Sequence, residues 1–425
     1  MRDLVGVLAE PNRRRLLEIL LEGEQSVTSL SAHFGVTRSA ISQHLGVLAH
    51  AGLVRVRREG RYRYYRVSPQ GLGDLRASLD VFWTRELDEL AAAGSPRQEG
   101  ATMALEKSVL VPLGADETFA LLTEPDRLRR WQTVTARIDL RAGGSYRWTI
   151  VPGHTAAGNV VEVEAGRRLV MTWGWEDSED LPPGASTVII TLDPSEGGTI
   201  VRLVHEGLTD EQSDSHAQGW SHYLERLAIA ARTGDAGADE WADSPDSIDK
   251  LTAAEASLAM CQLVLRGIDD KDRTAATPCA KFTVDELVDH LLGSISSLGA
   301  MAGTTVELTA SGTYEARVAN AAQQTLEAWR TRGLDGEVSF GGGQMPASVG
   351  ASILSLEFLV HAWDLAWATS QPLTPSETLN NYVLELAHAV ISPQMRDGDR
   401  FAIEVEVDSD AGGLERLVAF TGRTP

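Results

Sequence analysis

The stretch TRSAISQHLGVLAHAGLVRVRREGRYRYYRV, residues 37–67, decides the fold of the N-terminal part of the chain. Its apolar residues Ile41, Leu45 and Leu48 recur at helical spacing, and Gly52 stands where a left-handed residue would end the helix. Two short segments that alternate valine or tyrosine with arginine follow, joined by a Glu-Gly turn. This order predicts a helix that enters the DNA major groove and a hairpin wing that contacts the flanking backbone.

The charge of this stretch supports a nucleic-acid interface, since residues 35–67 hold seven arginines against one acid. Short hydroxyls and an amide on the outer helix face can reach base edges, and an arginine there can reach phosphate or guanine. The predicted DNA-binding residues are Arg38, Ser39, Ser42 and Gln43 on the helix, with Arg55, Arg57, Arg58, Arg61 and Arg63 on the wing. The alternative is a solvated, charged hairpin on an ordinary small domain.

The composition of the whole chain bounds its class. A length of 425 residues predicts two to four domains. The net charge of −22 is unevenly divided: residues 1–98 carry +3, from 14 arginines and 11 acids, and the remainder carries −25. We therefore expect only the N-terminal part to approach DNA. Two cysteines and the lack of a long apolar run predict a cytoplasmic protein without an export signal or membrane anchor.

The N-terminal domain is expected to dimerise. The apolar stripe Leu72, Leu75, Leu79, Phe82 and Leu90 has near-heptad spacing, although such a helix can also pack on its own domain. The segments LAEPNRRRLLEILLEG, SLSAHFGVTRSAISQHLGVLAHAGLV and RREGRYRYYRV resemble the ArsR family of winged helix-turn-helix repressors over residues 1–92. Metal-sensing members carry cysteines on the positioning helix, which here reads SVTSLSAHF, so arsenic or zinc sensing is not carried over to this domain.

A second domain is predicted from strand-like segments at 107–111, 137–139, 144–150, 158–164, 168–175, 186–192 and 199–205, followed by a helix over 213–232. A curved sheet wrapped on one long helix leaves a cavity for a small ligand. TEPDRLRRW, DLRAGGSYRW, GNVVEVEAGRRLVMTWGWE and HAQGWSHYLERL resemble the chaperone-ATPase-activator-like branch of the START-like (SRPBCC) helix-grip superfamily. Candidate cavity walls are Trp131, Trp148, Trp173, Trp175 and Trp220, any of which can instead be core; candidate polar anchors are His154, Glu206, His216 and His222.

A third domain follows an acidic, glycine-rich stretch that predicts a linker. Four helical segments, at 248–267, 284–302, 314–332 and 346–369, predict a bundle. Glu357 and His361 share a helix face, and His290 points inward from another helix, so the three can hold zinc or a similar divalent ion. Asp364 can orient His361 from behind. A surface ion pair or a buried core histidine is the simpler alternative.

The third domain also resembles a known family. TPCAKFTVDELVDHLLG, LEFLVHAWDLAWATSQP and LERLVAFTGRTP are similar to the mycothiol-dependent maleylpyruvate isomerases, within the DinB-like bundles. The family's metal ligands fall on His290, Glu357 and His361, and the resemblance implies mycothiol or a similar low-molecular-weight thiol as cofactor or substrate. Cys261 and Cys279 are interpreted as buried thiols, or alternatively as oxidant-responsive groups near the metal.

The predicted fold class is multidomain α+β. It comprises a winged helix-turn-helix at 1–95, a helix-grip antiparallel sheet with a long C-terminal helix at 102–234, and a DinB-like four-helix bundle with a small α/β tail at 246–425. The predicted function is a dimeric transcriptional regulator, a repressor, whose binding to a double-stranded DNA operator responds to a small molecule or thiol sensed by the C-terminal domains. The alternative is a thiol-dependent, metal-containing isomerase or transferase with an autoregulatory DNA-binding domain.

Overall fold

The structure is a computed structural model. It describes residues 11–68, except 22, 32, 33, 35–37, 60 and 61, and residues 104–425, except 244, 246, 280, 341, 342, 397–400 and 409. The chain divides into two compact units, Met1–Ala101 and Thr102–Pro425, which we describe separately. The predicted dimerisation stripe and the linker predicted over residues 94–101 lie outside the described residues.

The first unit has the predicted helix-turn-helix and wing. Its elements are α1 (Pro11–Leu21), β1 (Gln25–Ser26), α2 (Val27–Ser31), α3 (Arg38–His50), β2 (Val54–Glu59) and β3 (Tyr62–Val67). The strands form an antiparallel sheet in the order β1-β3-β2. Ile41, Leu45 and Leu48 of α3 are fully buried. Gly52, which follows the end of α3, has a φ of 78°, a left-handed conformation that favours glycine. The helical spacing thus places one face of α3 in the core of this unit.

The second unit begins with a seven-stranded antiparallel sheet. Its elements are β4 (Leu105–Val111), α4 (Ala115–Thr123), α5 (Pro125–Leu128), β5 (Thr135–Ile138), β6 (Ser145–Val151), β7 (His154–Glu164), β8 (Arg168–Trp173), β9 (Ser186–Ser195), β10 (Gly198–Glu206) and α6 (Asp210–Thr233). The sheet order is β4-β10-β9-β8-β7-β6-β5. Helix α6 starts three residues before the predicted start because Thr209 and Gln212 form a capping box there.

A helical region completes the second unit. It contains α7 (Glu240–Asp243), α8 (Lys250–Arg266), α9 (Val284–Met301), α10 (Tyr314–Arg332), the hairpin β11 (Glu337–Phe340) and β12 (Gly343–Pro346), α11 (Ala347–Thr369), α12 (Glu377–Val390) and α13 (Gly413–Phe420). The four predicted helices correspond to α8, α9, α10 and α11. A capping box of Thr283 and Glu286 begins α9. Helix α11 is apolar enough to cross a membrane by length and composition, but 78% of its apolar window is buried in this unit.

The predicted α/β tail is wrong in its β part. Among the described residues after Thr369, the structure contains helices and no strand. The segment 401–408 alternates apolar and acidic residues, as a strand would, yet no neighbouring strand pairs with it and Ile403 is 80% exposed. Alternation is a local signal, whereas a sheet needs a partner. The hairpin β11–β12 lies before the last bundle helix instead.

Buried ion pairs join the sheet to the bundle. Arg129, which follows α5, donates from Nε to Glu315 Oε1 of α10 at 2.7 Å, and the two side chains are 1% and 0% exposed. Burial alone would raise the pKa of Glu315, but the Arg129 guanidinium holds it below the ordinary value. Glu255 of α8 accepts from the Gly153 amide at 2.8 Å and from Arg330 at 2.7 Å. The sheet and the bundle therefore form one packed unit.

Candidate functional site

Helix α3 and the wing, which is the hairpin of β2 and β3, carry the predicted DNA-binding residues. Helix α3 includes positions 38, 39, 42 and 43, but their side chains lie outside the described residues, as do residue 61 and the side chain of residue 58. Arg55, Arg57 and Arg63 are exposed on β2 and β3. The register pairs Arg55 with Arg66 and Arg57 with Tyr64 across the two strands. The wing thus presents a cationic hairpin surface of the kind that contacts phosphates.

Arg57 contacts Glu24 and the Tyr64 ring within its own unit. Its Nη2 lies 2.6 Å from Glu24 Oε2, and its guanidinium lies 4.9 Å from the centroid of the Tyr64 ring. The hydrogen bond from Arg57 lowers the pKa of the Glu24 carboxyl. These contacts hold the wing against the segment that precedes β1. Part of the positive charge of Arg57 is therefore already compensated within the unit.

A candidate metal centre lies between α9 and α11. One ligand atom from each of His290, Glu357 and His361 lies within 4.8 Å of the other two. Glu357 Oε2 is 3.6 Å from His361 Nε2 and 3.9 Å from His290 Nε2. Tetrahedral ligands about 2.1 Å from a zinc ion would be roughly 3.4 Å apart, so the three ligand atoms would have to move closer together to complete the site. Three protein ligands would leave a fourth position for water or a thiol.

Two observations fit this triad to a divalent ion. Glu357 Oε2 is buried and has no hydrogen-bond partner among the described residues. His361 Nδ1 donates to Asp364 Oδ2 at 2.9 Å, which leaves the lone pair of Nε2 facing the carboxylate. Burial also lowers the pKa of His290 and so favours the neutral imidazole that a metal requires. The donor set of two imidazoles and one carboxylate is of a kind that binds zinc.

Arg423 supports the metal centre from the end of the chain. Its Nε donates to Asp364 Oδ1 and its Nη2 to Asp364 Oδ2, each at 2.7 Å. Burial alone would raise the pKa of Asp364, but the hydrogen bonds from His361 and Arg423 hold it below its ordinary value. The carboxylate therefore stays ionised and fixes the His361 ring. Asp364 lies where its predicted role, to orient the His361 ring, requires it. The sequence pattern assigned no such role to Arg423, which lies in the segment LERLVAFTGRTP.

The cysteines are poor nucleophiles in this arrangement. Cys261 is fully buried, and burial raises the pKa of its thiol to about 12. Burial also raises the pKa of Cys279, although Arg423 opposes this effect. Both thiols thus remain protonated at neutral pH, which favours the interpretation as buried thiols over the oxidant-responsive alternative.

A cavity of about 650 Å³ lies between the sheet and α6. Of the predicted walls, Trp173, Trp175 and Trp220 line it, and so does Trp241 from α7, in the stretch that was predicted to be a linker. A single tryptophan in an acidic, glycine-rich stretch is the signal that could have indicated docking. Trp241 stacks on His222 with ring centroids 4.0 Å apart. The connector to the bundle therefore forms one side of the cavity.

Two predicted cavity walls are core residues instead. Trp131 and Trp148 are each 2% exposed and are not among the residues that line the cavity. Trp131 Nε1 donates to the Leu121 carbonyl, and the Trp148 ring packs 4.8 Å from that of Tyr146. Strand alternation identifies inward-facing side chains but does not distinguish core from cavity.

Of the four predicted polar anchors, two line the cavity and two do not. His154 and His216 line the cavity, whereas Glu206 and His222 do not. His216 accepts from Trp175 Nε1 at 3.3 Å and contacts the Gln212 carbonyl through Nδ1 at 2.7 Å. Burial lowers the pKa of His216, so the ring is neutral at neutral pH. His216 therefore offers the cavity an uncharged polar group.

Comparison with known proteins matches two parts of the chain to family models. The model described as bacterial regulatory protein, arsR family, matches residues 10–56, which include the whole of α1, α2 and α3. The model described as Activator of Hsp90 ATPase homolog 1-like protein matches residues 113–232, which extend from α4 to α6.

Individual relatives cover the N-terminal unit or a longer part of the chain. The HTH-type transcriptional regulator Rv2034 of Mycobacterium tuberculosis is 46% identical over 80 residues, 19% of this chain and 75% of that protein. The uncharacterized protein Rv0738 of the same organism is 28% identical over 180 residues, 42% of this chain and 99% of that protein. A crystal structure of a possible transcriptional regulator for arsenical resistance is 56% identical over 23% of this chain and all of that chain, with a TM-score of 0.21.

Proposed function

Because the chain belongs, through its N-terminal unit, to the arsR family of bacterial regulatory proteins, we propose that it is a cytoplasmic, dimeric repressor whose operator binding responds to an effector held in the C-terminal unit. The protein is a DNA-binding transcriptional regulator. The effector is a small molecule or a thiol, which the sheet cavity and the zinc-binding triad of the bundle would receive. Two half-sites read by a dimer would supply the specificity that one short helix lacks.

The observation that carries this proposal is a cavity of about 650 Å³ in the same chain as a DNA-reading helix. A volume of this size suits a ligand of drug-like dimensions. The contact between the sheet and the bundle supports a common response of both to one ligand. The Gly153 amide, which lines the cavity, donates a hydrogen bond to Glu255 of the bundle. A ligand would act by favouring one geometry of the dimer over another.

The test is binding of the full-length protein to the DNA upstream of its own gene, measured by fluorescence anisotropy at fixed salt. Zinc-loaded and chelator-stripped protein are compared, with His361→Ala as the control that cannot use the metal. We expect operator affinity to change at least several-fold with zinc in the wild type and to stay constant in the variant. Absence of specific DNA binding in both states would overturn the regulatory proposal.

The second candidate function is thiol-dependent isomerisation or transfer, with the winged helix in an autoregulatory role. The triad favours it, because three protein ligands leave a coordination position and Glu357 Oε2 has no other partner among the described residues. When bound, the ion would supply a Lewis acid for a low-molecular-weight thiol such as mycothiol. Turnover of maleylpyruvate by the zinc-loaded full chain with mycothiol, abolished in His361→Ala, would promote this candidate.

A further inference from the structure

We propose that the cavity between the sheet and α6 takes a lipophilic cation: a flat, aromatic molecule that carries a positive charge. This inference rests on the proposed function, since it names the class of effector that the cavity would receive. It follows from three features of the lining, which are its aromatic walls, its neutral interior and its acidic mouth.

The walls are built from indole rings. The Trp173 ring lies 5.7 Å from that of Trp175 and 5.2 Å from that of Trp220, measured between centroids. Trp241 adds a partly exposed ring from the connector. Indole faces attract cations through their electron-rich π-systems, and they also bury flat apolar rings. A planar body with a delocalised or nearby positive charge satisfies both properties of these walls.

The interior offers hydrogen bonds without charge. Trp173 Nε1 is buried without a hydrogen-bond partner among the described residues, on a residue that is 3% exposed and lines the cavity. This orphaned donor matches an ether, carbonyl or similar acceptor on a ligand. Burial lowers the pKa of His216 and favours its neutral ring, although the hydrogen bond to the Gln212 carbonyl opposes this effect. The His216 ring therefore adds no positive charge at neutral pH that would repel a cation.

The mouth is acidic. Three carboxylates, Asp177, Glu179 and Asp180, line the cavity from the segment between β8 and β9, and all three are exposed. Among the described residues that line the cavity, none is a lysine or an arginine. The nearest compensating contact is Arg330 Nη1, which lies 4.0 Å from Asp177 Oδ2.

That contact leaves most of the acidic charge available. Arg330 makes its short bond with Glu255, at 2.7 Å through Nη2. The mouth thus keeps a negative potential that attracts cations and disfavours phosphates and carboxylic acids. Since aromatic walls alone would accept any flat molecule, the carboxylates supply the selection by charge.

The test compares two xanthene dyes of similar ring system and opposite charge on the full-length protein. Binding of cationic rhodamine 6G and of anionic fluorescein is measured by fluorescence anisotropy at low and moderate salt. We expect rhodamine 6G to bind about tenfold tighter than fluorescein or better. The triple variant Asp177→Asn, Glu179→Gln, Asp180→Asn should weaken rhodamine 6G roughly tenfold, as the sum of three exposed charge contacts.

The matched control removes the same number of charges elsewhere on the sheet. Glu164→Gln, Asp193→Asn and Glu196→Gln change exposed carboxylates that do not line the cavity. This control should leave rhodamine 6G binding within about twofold of the wild type. Equal affinity for both dyes, or a mouth variant that binds rhodamine 6G as tightly as the control, would overturn the inference.

A DNA measurement separates this inference from the function on which it rests. If rhodamine 6G binds with the expected charge dependence but operator affinity is unchanged, the ligand class stands and the effector role fails. If fluorescein rather than rhodamine 6G changes operator affinity, the effector role stands and the ligand class fails.

Discussion

Replacing Glu315 by glutamine should strongly destabilise the C-terminal unit, because this carboxylate is the buried partner of two arginines. Its Oε1 accepts from Arg129 Nε at 2.7 Å and lies 3.5 Å from Arg266 Nη2, and the side chain is 0% exposed. Removing one member of such a pair leaves buried charge uncompensated, which typically costs about 3–5 kcal/mol. We expect a loss of that size in the free energy of unfolding.

The measurement is urea unfolding of the full chain, followed by tryptophan fluorescence at neutral pH. The double variant Arg129→Met, Glu315→Leu should recover part of the loss, since apolar residues can replace a buried ion pair and Arg266 keeps Asp235 as a partner at 3.3 Å. As a control, Asp193→Asn breaks an exposed 2.8 Å pair with Arg202 and should cost less than about 1 kcal/mol. A loss below about 1 kcal/mol for Glu315→Gln, or a double variant no more stable than this single variant, would refute the reasoning.

Three further outcomes are expected. Asp364→Asn should weaken zinc binding about 10- to 100-fold in competition with a chromophoric chelator, because Asp364 orients the His361 ring. The control Asp289→Asn changes an exposed carboxylate and should leave zinc affinity unchanged. Equal affinities of the two variants would contradict the orienting role of Asp364. Arg63→Ala should lower the magnitude of the slope of log operator affinity against log salt concentration by about 1. Arg57→Ala should lower it less, because Glu24 already pairs with Arg57. Identical slopes for the two variants would contradict this reasoning. Burial lowers the pKa of His205 to about 3, so between about pH 6.5 and pH 3 the unfolded chain binds a proton that the folded chain does not. Stability therefore falls as the pH is lowered through this window, by about 1.4 kcal/mol per unit. In urea titrations over that range, His205→Gln should show a flatter profile than the wild type, and parallel profiles would disprove the assignment.

Local patterns predicted the strands of the large sheet and the longer helices, but not the short helices α4, α5 and α7, the hairpin β11–β12, or helices α12 and α13. Each of the seven predicted strands has a counterpart in the sheet, because apolar residues alternate along it and turn residues separate its strands. The helix that carries Glu357 and His361 follows from apolar spacing in the same way. Their separation by four residues also placed both side chains on one face, as the contact between them requires.

Contacts between distant residues were outside the reach of such patterns. Arg423 bonds Asp364 across 59 positions, and no spacing rule links a chain end to a helix face. The connector was predicted to be a linker from its acidic and glycine-rich composition, yet Trp241 docks on His222. Composition measures the average preference of a stretch, whereas one large ring with a partner can determine where it lies.

The connector between α6 and the bundle forms part of the cavity through Trp241. Because Trp241 belongs to the junction rather than to the sheet or α6, a sheet-and-helix domain cut off at Gly234 would present the cavity with one side missing. Ligand preferences measured on free-standing domains of this shape would therefore not transfer to the fused chain. A substitution in the junction could therefore change which ligand binds without altering the strands that form the rest of the cavity.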